Sequence, residues 1–103
     1  MIYNKLVRDR IPEIIEKKGG TCKTRILSDK EYAQKLDQKL GEELAEYLES
    51  HNPEELADLL EVIYACAALQ CLCPADLERI RADKADKRGG FREKILLIES
   101  EEK

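Results

Sequence analysis

Apolar residues along this chain recur with two different periods. From Tyr32 onward, Ala33, Leu36, Leu40, Leu44, Tyr47 and Leu48 return every three or four positions, the spacing that gathers them on one stripe of an α-helix. Ser28-Asp29 stands just ahead and supplies an N-cap, so the pattern predicts a helix from there to about His51. Asn52-Pro53-Glu54-Glu55 then reads as a fresh start, with Asn52 as cap, Pro53 at the first helical position and Glu55 where a capping box places its acid. This second helix runs to about Leu72 and is closed by Pro74. A third, Ala75 to Lys87, is amphipathic and laced with opposite charges, and it stops at Gly89-Gly90. Asn4 to Lys18 carries Leu6, Val7, Ile11, Ile14 and Ile15, with Pro12 in a first turn, and predicts a short helix ending at Gly19-Gly20 behind a basic leading segment. Two stretches have the other period. Thr21 to Leu27 alternates Cys22, Thr24 and Ile26 with Thr21, Lys23 and Arg25, and with Lys94 to Glu99 it predicts a small two-stranded β element at about 21–27 and 94–99.

The fold class is therefore mainly α. Because the connection at Ser50 and His51 is so short, the first two long helices should form an antiparallel hairpin. Val62 to Leu69, VIYACAAL, is apolar on every side, which requires a helix covered all round. A single domain of 103 residues, here residues 1–103 without repeat or linker, buries only roughly two thirds of its chain's surface. The expectation is a hairpin completed into a four-helix-type bundle by another copy, a homodimer or higher homo-oligomer.

Charge adds a second layer. Met1 to Lys30 holds eight Lys/Arg against four Asp/Glu, Glu31 to Tyr64 holds two against ten, and the remainder balances, giving a net charge of −4. An acidic centre between basic ends argues against binding a nucleic-acid polymer, where one basic face should dominate. It suits a metal ion and an anionic ligand. Four cysteines, Cys22, Cys66, Cys71 and Cys73, come without a signal peptide or an apolar stretch of membrane-spanning length, so the expectation is a cytoplasmic protein with free thiols. Zinc is disfavoured, since no CxxC exists and His51 is the single histidine.

Within the acidic centre, Glu43 and Glu46 form one i, i+3 pair and Glu55 and Asp58 another, so each pair projects from one face of its helix. About a turn at Ser50 and His51 the numbering is symmetric. Glu46 lies level with Glu55 and Glu43 with Asp58, in two layers about 4.5 Å apart at a rise of about 1.5 Å per residue. Four such carboxylates repel one another unless a cation neutralises them, and oxygen donors select Mg²⁺ or Mn²⁺. Taken singly, either pair is what any solvated helix face carries. A di-iron carboxylate bundle is the competing metal chemistry, but it needs Glu-x-x-His pairs that His51 cannot supply.

The segments KLGEELAEYLES and EELADLLEVIYA resemble the ExxE…ExxD metal motif of MazG-like nucleoside triphosphate pyrophosphohydrolases. The opening YNKLVRDRIPEII and the closing KADKRGGFREKILLIE are similar to the phosphoribosyl-ATP pyrophosphohydrolase-like subgroup. The resemblance implies an all-α oligomer in which Glu43, Glu46, Glu55 and Asp58 hold Mg²⁺, with Glu42 or Glu46 as base, and in which a nucleoside triphosphate is cut to monophosphate and pyrophosphate. One departure is visible. Eight residues, Tyr47 to Glu54, separate the motif halves, shorter than the family's usual gap by about a helical turn. Phosphoanhydride hydrolysis also needs cations on the phosphates. Lys5, Arg8 and Arg10 ahead of the first helix, and Lys84, Lys87 and Arg88 on the third long one, are the candidates, Arg8, Arg10, Lys84 and Arg88 more so than Lys87. Two rival readings are phosphoribosyl-ATP pyrophosphohydrolase itself and a catalytically inactive helical interaction module.

Overall fold

A computed structural model describes residues 2–102 and contains four helices: α1 (Ile11–Lys17), α2 (Asp29–Ser50), α3 (Pro53–Leu69) and α4 (Pro74–Arg88). Their ends follow local chemistry. The Ser28 hydroxyl accepts from the Glu31 N–H at 3.2 Å while the Glu31 carboxylate accepts from the Ser28 N–H at 3.2 Å, a reciprocal capping box at the start of α2. Glu31 is also gripped by both terminal nitrogens of Arg25, at 3.0 and 2.9 Å. At the other end of α2, His51 takes a left-handed conformation with φ 54°, and its N–H closes on the Tyr47 carbonyl. Asn52 follows at once as the cap of α3, its side chain accepting from the Glu54 N–H at 2.9 Å. Glu55 is therefore free of the capping duty its position suggested.

α3 stops three residues short of Leu72. Leu72 N–H returns to the Ala67 carbonyl and Cys71 N–H to that of Ala68, a Schellman closure that puts Cys71 at φ 62°. Pro74 becomes the first residue of α4, which leaves α3 at an angle of 102°. No single helix among the described residues is long and apolar enough to cross a membrane.

The predicted β element is absent: among the described residues no strand forms, and both 21–27 and 94–99 lack regular structure and ladder partners, Lys94 standing at φ 60°. Ile26 is 94% exposed and Ile95, Leu96, Leu97 and Ile98 are at least three-quarters exposed. The alternation in 21–27 places no continuous apolar row on either face, and 95–98 is apolar on both. A two-stranded ribbon with nothing packed on it lacks the burial that would hold it together.

α2 and α3 pack as an antiparallel hairpin around Leu36, Val62 and Ala67, the buried apolar residues, with Glu43 buried among them. The chain is open: its radius of gyration is 18.3 Å, where about 13 Å is usual for 100 residues. Its accessible surface is 9734 Å², against about 5,900 Å² for a compact monomer of 11.8 kDa. Part of the excess is a leucine face. Leu44 and Leu48 lie one residue past the inward positions Glu43 and Tyr47 on α2, as Leu56 and Leu60 lie one past Glu55 and Leu59 on α3. In an antiparallel pair that offset turns both sets to the same side. All four are 44–59% exposed.

Candidate metal centre

On the opposite side of the hairpin from the leucines is a cleft of about 480 Å³. α2 contributes Leu36, Lys39 and Glu43, and α3 contributes Asp58, Glu61 and Val62. The leading segment Leu6–Arg10, which precedes α1, runs along it. Here helical periodicity and the two-residue connection at His51 and Asn52 bring the acids together: one carboxylate oxygen each from Glu43, Glu55 and Asp58 lies within 4.8 Å of the others. Glu46 stands beside Glu43 and Glu55, close enough for its carboxylate to perturb both.

Glu43 is 7% exposed. One of its oxygens meets Lys39 Nζ at 3.5 Å, while Oε2 is buried with no hydrogen-bond partner. Burial, then the neighbouring Glu46, raises the Glu43 carboxyl above the ordinary carboxylate range, and Lys39 offsets only part of this. Glu55 is raised in the same direction, first by desolvation and then by Glu46 and Asp58. Both shifts report first the withdrawal of a carboxylate from water, and second the negative charge held beside it.

Whether the residues suit a divalent cation can be judged from the donors. All are carboxylate oxygens, the preference of Mg²⁺, Mn²⁺ and Ca²⁺. Oxygens on a Mg²⁺ ion are about 3.0 Å apart when adjacent and about 4.2 Å when opposite, from a bond length of about 2.1 Å, so oxygens within 4.8 Å of one another reach that geometry by side-chain closure of at most about 2 Å. The orphaned Glu43 Oε2 is a ligand atom with nothing else to bind. The cluster fits a metal ion.

The remaining site residues divide into three groups. Arg8 enters the cluster directly, its Nη2 donating to Asp58 Oδ1 at 2.7 Å, and Arg10 lines the same cleft. Glu42 is turned to Lys39 at 3.6 Å rather than into the triangle, and Lys5 is exposed one residue before the cleft-lining segment. Lys84 and Arg88 are not brought to the acids, because α4 diverges from α3; Arg88 instead borders a separate surface hollow with Gly89–Ile95. Lys87 pairs with Asp83 at 3.1 Å. Sequence reasoning missed Lys39, whose signal was its i, i+4 spacing to Glu43, and Tyr32 and Glu61, which border the cleft without any motif to mark them.

No protein-family model matches the chain, and no solved structure matches it. A stretch of 41 residues is 61% identical to an uncharacterized protein of Mycolicibacterium smegmatis (strain ATCC 700084 / mc(2)155), covering 40% of this chain and 42% of that protein. Among the described residues the chain is all-α, with four helices and a Glu/Glu/Asp cluster able to hold a metal ion.

Proposed function

We propose that the chain is a Mg²⁺-dependent nucleotide pyrophosphohydrolase of the MazG-like kind, cutting between the α and β phosphates. The observation that carries this reading is the convergence of Glu43, Glu55 and Asp58, with an unpartnered buried oxygen, at a cleft that Glu43 and Asp58 line together with Arg8 and Arg10. An acidic cluster alone would bind a cation; arginines in the same cleft suit it to a cation that arrives with a polyphosphate.

Bound Mg²⁺ or Mn²⁺ supplies charge neutralisation and Lewis acidity at the phosphates. Glu43, Glu55 and Asp58 would hold it, and Glu46 serves as a fourth ligand or as base. Of the two candidate bases Glu46 is better placed, because it stands beside the cluster while Glu42 is tied to Lys39. Water oxygen attacks the α phosphorus, the bond from that phosphorus to the bridging oxygen breaks, and pyrophosphate leaves with the bond's electron pair. The water's proton passes to the carboxylate. Arg8 and Arg10 bind the phosphates and hold them in line.

The leucine face gives the reading its quaternary half. The excess surface over a compact monomer, on the order of 4,000 Å² per chain, exceeds the roughly 1,000–2,500 Å² per partner that obligate dimers bury, and the leucine face is part of it. A second copy covering Leu44, Leu48, Leu56 and Leu60 completes the bundle and leaves the cleft on the other side open.

The test is to incubate the purified protein with a panel of nucleotides, phosphoribosyl-ATP among them, and Mg²⁺, and to separate pyrophosphate from orthophosphate. The expected result is pyrophosphate from at least one triphosphate, falling by at least about 100-fold in Asp58→Asn. No pyrophosphate from any of them, or full activity in that variant, sinks the proposal. Product from phosphoribosyl-ATP alone narrows it to that substrate.

A further inference from the structure

We infer that Arg8 is a built-in counter-ion of the acidic cluster, standing at Asp58 until a divalent cation replaces it and then turning to the anion that enters behind the cation. This rests on the metal-site reading above and adds to it an order of binding and a positioning residue.

Arg8 and Asp58 are fifty residues apart in sequence, yet they make the contact of 2.7 Å that joins the leading segment to α3. The two side chains are 55% and 41% exposed, so the pair sits at the mouth of the cleft rather than beneath it. An exposed pair of this kind is held weakly and exchanges readily. The backbone that carries Arg8 belongs to no helix; its carbonyl accepts from the Ile11 N–H at 3.1 Å in the turn that leads into α1, which leaves the side chain itself tied only to Asp58. On the other side, Asp58 is one of the three acids whose oxygens converge. A divalent cation bound there and a guanidinium on Asp58 Oδ1 would be like charges at ligand distance, so one excludes the other. Displaced, Arg8 still borders a cleft that also contains Arg10, with a planar fork of donors suited to a phosphate group. Cation and anion binding are thereby coupled with positive sign: the cation frees the arginine that the anion uses.

The experiment titrates Mn²⁺ into the metal-free full chain by electron paramagnetic resonance, at fixed pH and low salt, for wild type, Arg8→Gln, Arg8→Lys and Arg25→Gln. Arg25 offers the same loss of charge about 18 Å along α2 from Glu43, by the helical rise, in its pair with Glu31. Arg8→Gln should bind Mn²⁺ about fivefold more tightly than wild type, the upper range for an exposed ion pair, and Arg8→Lys should fall between the two. Arg25→Gln should match wild type. Inorganic phosphate titrated into the Mn²⁺-saturated proteins should bind several-fold more weakly to Arg8→Gln. Equal or weaker Mn²⁺ binding by Arg8→Gln overturns the displacement, as does an equal gain in Arg25→Gln, and unchanged phosphate affinity overturns the anion half. Wild type that binds no Mn²⁺ at all overturns the metal-site reading itself, a result distinct from either.

Discussion

Replacing Glu43 by Gln keeps the shape of the side chain and removes one negative charge from the most buried point of the cluster. In the metal-free protein the carboxylate has a buried oxygen without a partner and leans on Glu46, and its proton affinity is raised by both burial and that neighbour. Leaving such a group unsatisfied costs about 1–3 kcal/mol. The ion pair that the substitution removes, Lys39 to Glu43 at 3.5 Å, is worth at most about 1 kcal/mol. Glu43→Gln should therefore unfold at the same temperature as wild type or a few degrees higher. The metal response should go the other way. A ligand at 100 times its dissociation constant stabilises the native state by about 2.7 kcal/mol, which for a domain of this size raises Tm by on the order of 10–20 °C. Wild type should show that rise with Mg²⁺ or Mn²⁺, and Glu43→Gln should show almost none. Differential scanning fluorimetry with and without the metal reads both effects. If Glu43 were only a structural partner of Lys39, the variant would melt lower and keep the full metal response. That outcome refutes the reasoning.

Three further outcomes are expected. Leu48→Glu together with Leu60→Glu should convert an oligomer into monomers in sedimentation velocity at tens of micromolar; wild type already monomeric there overturns the leucine face as an interface. Cys71 sits at φ 62° in the Schellman closure of α3, so Cys71→Gly should raise stability by about 1 kcal/mol in urea unfolding, the strain of a left-handed residue less the entropy of glycine; a decrease would show that the thiol packs. Glu31 is held down to about 2 from an ordinary 4.5, first by Arg25 and then by its Ser28 contacts. Its folded value lies below its unfolded one, so its stabilisation is complete above about pH 4.5 and fades as pH falls toward 2. Thermal melts across that window should fall more steeply for wild type than for Glu31→Gln, and parallel slopes would count against the capping box.

How much of this could be read from the residues depends on the range of the interactions involved. Ser28, Asn52 and Pro53 act on their immediate neighbours, so the starts of α2 and α3 were legible to the residue. The convergence of Glu43, Glu55 and Asp58 was legible too, because it needs only helical periodicity and a connection too short to allow another arrangement. The end of α3 was not, since Cys71 gives no sign that it will accept a left-handed backbone usually left to glycine. Nor was the fate of 21–27 and 94–99, because alternation states only that a ladder would suit these residues, and whether one forms depends on a covering surface elsewhere. Lys84 and Arg88 were marked for the substrate phosphates, and their distance from the acids of their own chain follows from the 102° departure of α4, an angle no local pattern encodes. Arg8 was marked as a phosphate ligand, but its contact with Asp58 spans fifty residues and is visible only in three dimensions.

The turn at His51 and Asn52 has a consequence for length. With His51 ending one helix and Asn52 capping the next, the connection has no slack, and the two acid pairs are kept in phase by rigid rod on either side. One residue inserted between Glu46 and Ser50 would rotate everything before it by about 100° relative to the turn and aim Glu43 and Glu46 away from Glu55 and Asp58. About a full turn added to one rod restores the phase but leaves the pairs about 5.4 Å out of level, so both are restored only when the two rods grow together, by about a full turn each. Hairpins of this design should therefore tolerate changes in the spacing between ExxE and ExxD in steps of about seven residues, and each step would add about 5.4 Å of depth between the acids and the tip. Gap length in such a chain works as a ruler with discrete marks, and a variant library of one to eight inserted residues, shared between the two rods, should show metal binding recover near the last of them.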